Sequence, residues 1–72
     1  MIVAKKGSIA AARCSLGMTQ RALAKESGIS QTRICKIESG GAPMRPTTAK
    51  KIGEAVGKNF NELFDVIPKK DD

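Results

Sequence analysis

The chain has 72 residues, a formal net charge of +6 and a hydrophobic fraction of 40%. This length suits one small domain, and the composition argues against a chain that is disordered throughout. No apolar run approaches the roughly 20 residues that cross a bilayer, and the first residues lack the pattern of a secretory signal. We therefore expect one cytoplasmic domain over residues 1–72 with no membrane partner. It should be folded from about 8 to 67, with a polar tail at 68–72.

The residue content also argues against catalysis and metal binding. The chain has no histidine, so the usual general base near neutral pH is missing. Its two cysteines, Cys14 and Cys35, are too few to supply the four ligands of a structural zinc site. We expect them to be free thiols that pack as small, half-buried side chains. The protein should not be an enzyme, and it should use no cofactor and no metal.

Positive charge is concentrated in the first three-quarters of the chain. Ten of the 13 Lys and Arg residues lie before Glu54, but only two of the seven Asp and Glu residues do. A basic folded region, as opposed to a basic tail, is typical of a surface that binds nucleic acid. A basic domain without a nucleic-acid partner is the plainer alternative that charge alone leaves open.

Hydrophobic spacing predicts five short helices and no strand, and hence an all-α fold. The first helix is predicted over Ser8–Leu16, with Ser8 as its N-cap. Arg13 falls on the apolar stripe of this helix, where an unpaired charge would be very costly, so we expect an acidic partner for it. The other predicted helices span residues 19–27, 30–39, 47–56 and 60 to about 64 or 66.

The predicted starts of these helices carry side chains that can satisfy free backbone N–H groups. The expected N-caps are Thr19, Ser30 and Thr47. Asn59 and Glu62 have the spacing of a capping box at the start of the fifth helix. Gly53 lies inside the fourth helix at a cost of about 1 kcal/mol relative to alanine, which close packing would explain.

The second and third predicted helices are joined by a short turn at Gly28. Leu23 and Ala24 form the buried pair of the second helix, and Ile34 and Ile37 anchor the third. Two helices connected in this way have helix-turn-helix geometry, in which the second helix stands out from the surface and can enter a major groove.

Three runs of residues carry a more specific pattern: Leu16-Gly17-Met18-Thr19-Gln20-Arg21-Ala22-Leu23-Ala24, Gly28-Ile29-Ser30-Gln31-Thr32-Arg33-Ile34 and Ile37-Glu38-Ser39-Gly40. Similar residues continue through Pro46, Ile52, Ala55-Val56-Gly57 and Glu62-Leu63-Phe64. Over about residues 9–64 the chain resembles the Cro/phage-repressor (Xre-like) helix-turn-helix family. The resemblance implies a five-helix, repressor-like DNA-binding domain that acts as a homodimer on an inverted repeat in double-stranded DNA. We expect a repressor of phage, mobile-element or bacterial type more than an activator, although the sequence does not decide between the two.

The resemblance also implies roles for individual residues. The positions that match base-reading residues are Gln31, Thr32 and Lys36. Those that match backbone-contacting or mixed positions are Gln20, Ser30, Arg33 and Arg45. Arg13 and Glu38 match a buried ion pair that connects the first and third helices. The C-terminal apolar residues, which would complete the core and form any dimer surface, are Phe60, Leu63, Phe64 and Ile67.

One departure from the family keeps a second function open. Gly41-Ala42-Pro43 replaces the basic residues that usually follow the third helix, and this weakens the expected grip on phosphate. We expect no further domain that would strengthen dimerisation. The alternative is a protein-interaction module of anti-repressor or antitoxin-like type, which would bind another helix-turn-helix repressor and mask its DNA-binding surface.

Overall fold

The computed structural model describes residues 1–40 and 42–68 of the chain. Within these residues, five helices and two short strands enclose one core. In chain order they are β1 (Ile2–Ala4), α1 (Ser8–Ser15), α2 (Gln20–Ser27), α3 (Gln31–Glu38), α4 (Pro46–Val56), α5 (Phe60–Leu63) and β2 (Phe64–Val66). None of the helices in this part of the chain is long and apolar enough to span a membrane.

The described residues are mostly helical, in rough agreement with the predicted all-α fold, but the expectation of no strand was wrong. β1 and β2 pair antiparallel, with Ile2 opposite Val66 and Ala4 opposite Phe64. Each strand has three residues, too few to show an alternating pattern, and they lie at opposite ends of the chain. β2 also ends the fifth helix at Leu63, earlier than predicted.

The edge of β1 that faces away from β2 is also paired, and this attaches the sheet to the rest of the molecule. The backbone N–H of Met44 donates to the Ile2 carbonyl over 2.9 Å, which ties the segment between α3 and α4 to β1. The largest fully buried side chains of the core are Phe64, Ile9, Leu23, Ile34, Ile37, Ile52 and Leu63. Every helix contributes to this list, so the small domain has a single continuous core.

The structure confirms some predicted helix starts and corrects others. Thr19 accepts from the Ala22 N–H, Ser30 accepts from the Arg33 N–H, and Asn59 forms the predicted capping box. Ser8 and Thr47, however, are not N-caps. Ser8 is inside α1, and its hydroxyl donates to the Leu63 carbonyl over 2.8 Å.

α4 begins one residue before the predicted cap, at Pro46. Proline suits the first helical position because its φ is already helical and its missing N–H would have no helical partner there. Gly53 lies inside this helix, and a Cβ at this position would be 3.2 Å from the Lys58 carbonyl oxygen. The close approach of the chain after α4 therefore explains the glycine. The predicted tail beyond Pro68, like Gly41, lies outside the described residues.

Candidate DNA interface

α2, a tight turn and α3 form the predicted helix-turn-helix. Gly28 ends α2 with φ of 73°, a left-handed conformation that glycine adopts without a steric penalty. Its N–H and that of Ile29 both donate to the Ala24 carbonyl. Ser27 is buried and donates its hydroxyl to the Leu23 carbonyl over 2.7 Å. A hydrogen bond within the helix thus satisfies this buried polar group.

α3 has a buried face and an exposed face. Ile34 and Ile37 are almost completely buried. The exposed residues of the helix are Gln31, Thr32, Arg33, Cys35 and Lys36. Because Ile34 and Ile37 fix the rotation of the helix against the core, the orientation of this polar face is fixed as well.

Residues from α2 and α3 meet in a shallow depression on this surface. Its lining consists of Gln20, Gln31, Thr32, Cys35 and Lys36. The fold therefore brings Gln20, at the start of α2, next to the three positions that the sequence predicted to read bases. Arg45, Arg33 and Ser30 do not line this depression.

Cys35 is the residue of this surface that the sequence interpretation missed. Cys14 and Cys35 are both free and exposed, so the prediction that they are half-buried packing residues was wrong. The place of Cys35 on this surface could have been predicted from the sequence, since Cys35 is three residues after Thr32 and four after Gln31. Residues with these separations are neighbours on the surface of a helix.

The residues predicted to contact the DNA backbone lie at helix starts or are exposed. Ser30 accepts from the Arg33 N–H over 3.2 Å, and this geometry leaves the hydroxyl proton free to donate to an outside acceptor. Arg45 is exposed at the N-cap position of α4 with an extended backbone. Residues that precede proline favour this extended conformation.

Arg13 and Glu38 form a two-pronged ion pair between α1 and α3. Arg13 Nε donates to Glu38 Oε2 over 2.9 Å, and an Nη2 hydrogen is donated to Oε1 over 3.0 Å. The Arg13 and Glu38 side chains are only 14% and 7% exposed. The remaining terminal nitrogen of the guanidinium donates to the Met18 carbonyl over 2.9 Å, so the pair also holds the segment between α1 and α2.

The ion pair with Glu38 changes the pKa of Arg13. The hydrogen bond with Glu38 raises the pKa of Arg13 above its usual value, against an opposing effect of burial. Gln20 adds a third contact, because its Nε2 donates to Glu38 Oε1 over 3.3 Å. Glu38 therefore directs its charge inward, toward Arg13 and Gln20, and leaves the outward face of α3 with basic charges.

Basic side chains predominate around this surface. From Gly17 to Arg45, omitting Gly41, the exposed charged residues are Arg21, Lys25, Glu26, Arg33, Lys36 and Arg45. Glu26 is the single exposed acid of this described stretch. Such a surface attracts a polyanion and repels an acidic partner.

The predicted dimer surface is only partly on the outside of the molecule. Leu63 and Phe64 are 1% and 2% exposed and belong to the core, so they are not available to a partner in this fold. Phe60 is 37% exposed, and its ring lies 5.3 Å from that of Phe64. Ile67 is exposed beyond the end of β2.

Comparison with known proteins places this geometry in a family. A family model described as helix-turn-helix matches residues 9–63, well over half of the chain. The protein is therefore a member of the helix-turn-helix class. Within that class it belongs to the Cro/C1-type family, and it is a DNA-binding helix-turn-helix regulator. No curated protein and no solved structure gives a significant match.

Proposed function

We propose that the protein is a transcriptional repressor of phage, mobile-element or bacterial type, which binds an inverted repeat in double-stranded DNA as a homodimer. α3 of each subunit enters the major groove, where Gln31, Thr32 and Lys36 contact bases. The observation that carries this proposal is the outward face of α3, which is polar and basic and is fixed by two buried isoleucines.

The chemistry of these three side chains matches groups on base edges. The amide of glutamine can pair with adenine through two hydrogen bonds, and the lysine ammonium can donate to O6 and N7 of guanine. A threonine methyl group contacts the C5-methyl group of thymine. Gln20, Ser30, Arg33 and Arg45 contribute hydrogen bonds or charge to phosphates, which set the position of the protein on the duplex.

The apolar residues at the open end of the sheet support a homodimer. Met1, Val66 and Ile67 are 59%, 63% and 42% exposed. They are neighbours, since the backbone N–H of Ile67 donates to the Met1 carbonyl over 2.7 Å. Among the described residues β2 pairs with β1 alone, so its outer edge is free. We place the dimer contact on this apolar surface, in place of the buried Leu63 and Phe64.

The first experiment is selection of bound sequences from a random pool of duplexes at about 150 mM salt. Enrichment of an inverted repeat, with affinity that falls steeply as salt rises, is the expected result. Enrichment of a single half-site would retain DNA reading and contradict the homodimer. Absence of any enriched sequence, with only weak salt-sensitive binding, would overturn the proposal.

A matched pair of variants tests the dimer contact. Val66→Lys should shift sedimentation toward the monomer and should lower affinity for the inverted repeat more than for a half-site. Leu16→Lys is the control, because Leu16 is also apolar and 56% exposed but lies at the end of α1. Equal sedimentation of the two variants would contradict this placement.

A protein-interaction module that binds another helix-turn-helix repressor is the second candidate. The exposure of Phe60 on α5 favours it, since a partly exposed aromatic ring can anchor a protein partner. The outward face of α3, by contrast, carries no large apolar side chain. If the selection enriches no sequence, this candidate predicts that Phe60→Ala abolishes binding to the other helix-turn-helix repressor.

A further inference from the structure

The depression between the start of α2 and the outward face of α3 is lined by two small side chains, Thr32 and Cys35, among longer polar ones. Thr32 and Cys35 are one helical turn apart and contribute a methyl group and a thiol. Free cysteine behaves as a small hydrophobic residue with a weak S–H donor.

Cys35 has no evident role in the core. The buried face of α3 is formed by Ile34 and Ile37, whereas Cys35 is exposed and forms no disulfide. Its neighbours on the outward face are Gln31 and Thr32, which carry the proposed base contacts. Cys35 is therefore placed to touch whatever occupies the depression.

The major groove offers one apolar group on its base edges, the C5-methyl group of thymine. A small thiol next to a threonine methyl group is complementary to it in size and polarity. The longer side chains of Gln31 and Lys36 also line the depression, and their amide and ammonium groups can hydrogen-bond to base edges.

We propose that Cys35 is a specificity-determining residue and that, together with Thr32, it contacts the C5-methyl group of a thymine in the bound half-site. This inference rests on the DNA-reading function proposed above and specifies one chemical feature of its substrate. A second free and exposed thiol, Cys14, lies on α1 and does not line the depression. The chain thus contains its own matched control.

The test combines a base change that removes only the methyl group with a side-chain change that keeps the shape. Each thymine of the selected half-site is replaced by uracil, and binding is measured for the wild-type protein, Cys35→Ser and Cys14→Ser. In the wild type, one replacement near the α3 contact should weaken binding about three- to five-fold, the usual effect of one buried methyl group. In Cys35→Ser the same replacement should have a smaller effect than in the wild type, because Thr32 alone keeps its part of the methyl contact. Cys14→Ser should behave as the wild type.

Thiol labelling gives an independent readout. A maleimide should modify both cysteines in the free protein, and the selected duplex should protect Cys35 but not Cys14. Equal labelling of Cys35 with and without the duplex would overturn the inference. The inference would also be overturned if the losses of affinity from Cys35→Ser and from the uracil replacement were simply additive. The same holds if no uracil replacement in the half-site weakened binding of the wild-type protein.

These outcomes separate the inference from the function on which it rests. If the protein selects a sequence but Cys35 is neither protected nor coupled to a thymine, the inference fails and the DNA-reading function stands. If no sequence is selected, the proposed function fails and the inference fails with it.

Discussion

Glu38 Oε1 accepts hydrogen bonds from both Arg13 and Gln20, over 3.0 Å and 3.3 Å. One carboxylate oxygen therefore links the ion pair beneath the surface to the first residue of α2. Gln20 also lines the depression on α3. Gln20 thus takes part in a contact that stabilises the fold and in the proposed contact with DNA. Mutation can separate its effect on stability from its effect on DNA binding.

Removal of Arg13 should be strongly destabilising. Arg13→Ala leaves the mostly buried Glu38 carboxylate without its charged partner, and breaking such a pair costs about 3–5 kcal/mol. A domain of this size has a total stability of the same order, so we expect the variant to be largely unfolded at 25 °C. Urea denaturation followed by circular dichroism measures the loss.

The double variant Arg13→Met with Glu38→Leu separates an unpaired charge from a loss of packing. Replacing a buried ion pair by apolar residues of similar volume is often neutral or stabilising. The double variant should therefore be far more stable than Arg13→Ala. Equal destabilisation of the two would mean that the shape of the pair, and not its charge balance, supports the fold.

The pair should contribute constant stability up to alkaline pH. Because the hydrogen bond with Glu38 raises the pKa of Arg13, the folded state holds this proton more tightly than the unfolded state. Stability from this source is fully present below the ordinary pKa of arginine and is lost only as pH rises through the raised value. The difference in free energy of unfolding between wild type and the Met/Leu double variant, measured in urea, should not change from about pH 8 to about pH 10. A difference that declines across this interval would contradict the expectation.

Two substitutions of Gln20, one that removes its amide and one that adds a charge, should lower the stability of the fold by different amounts. Gln20→Ala removes one partly buried hydrogen bond to Glu38, a loss of about 0.5–1.5 kcal/mol in stability. Gln20→Glu places a second carboxylate next to Glu38 and should destabilise the fold further by repulsion between like charges. Thermal unfolding of the two variants measures this order, and a Gln20→Glu protein as stable as Gln20→Ala would contradict the observed 3.3 Å contact.

Local features of the fold were predictable from the sequence because they depend on neighbouring residues. Thr19 and Ser30 each cap a helix through an N–H three residues further on. The periodicity of Ile34 and Ile37 set which face of α3 is exposed. The partner of Arg13 followed from its place on an apolar stripe and from the family resemblance.

The features that were missed depend on parts of the chain that are far apart in sequence. β1 and β2 become strands only by pairing with each other, and Met1 and Ile67, which continue that pairing, are 66 positions apart. Ser8 has a suitable side chain for an N-cap, but the fold brings the Leu63 carbonyl to its hydroxyl. Phe64 was expected to complete the core and does so, but as the first residue of β2 and not as part of the predicted helix.

Lys36 and Arg45 should affect DNA binding in different ways. Lys36→Ala removes a proposed base contact, so it should weaken binding to the selected sequence by about 1–3 kcal/mol and relax specificity at one base pair. Arg45→Ala removes a proposed phosphate contact, so it should weaken all sequences alike and reduce the salt slope by about one. Lys58→Ala removes the same charge from an exposed position after α4 and serves as the control. Titrations of the selected and a scrambled duplex at several salt concentrations distinguish the three variants. If Lys36→Ala weakened both duplexes equally, Lys36 would be a phosphate contact and not a base-reading residue.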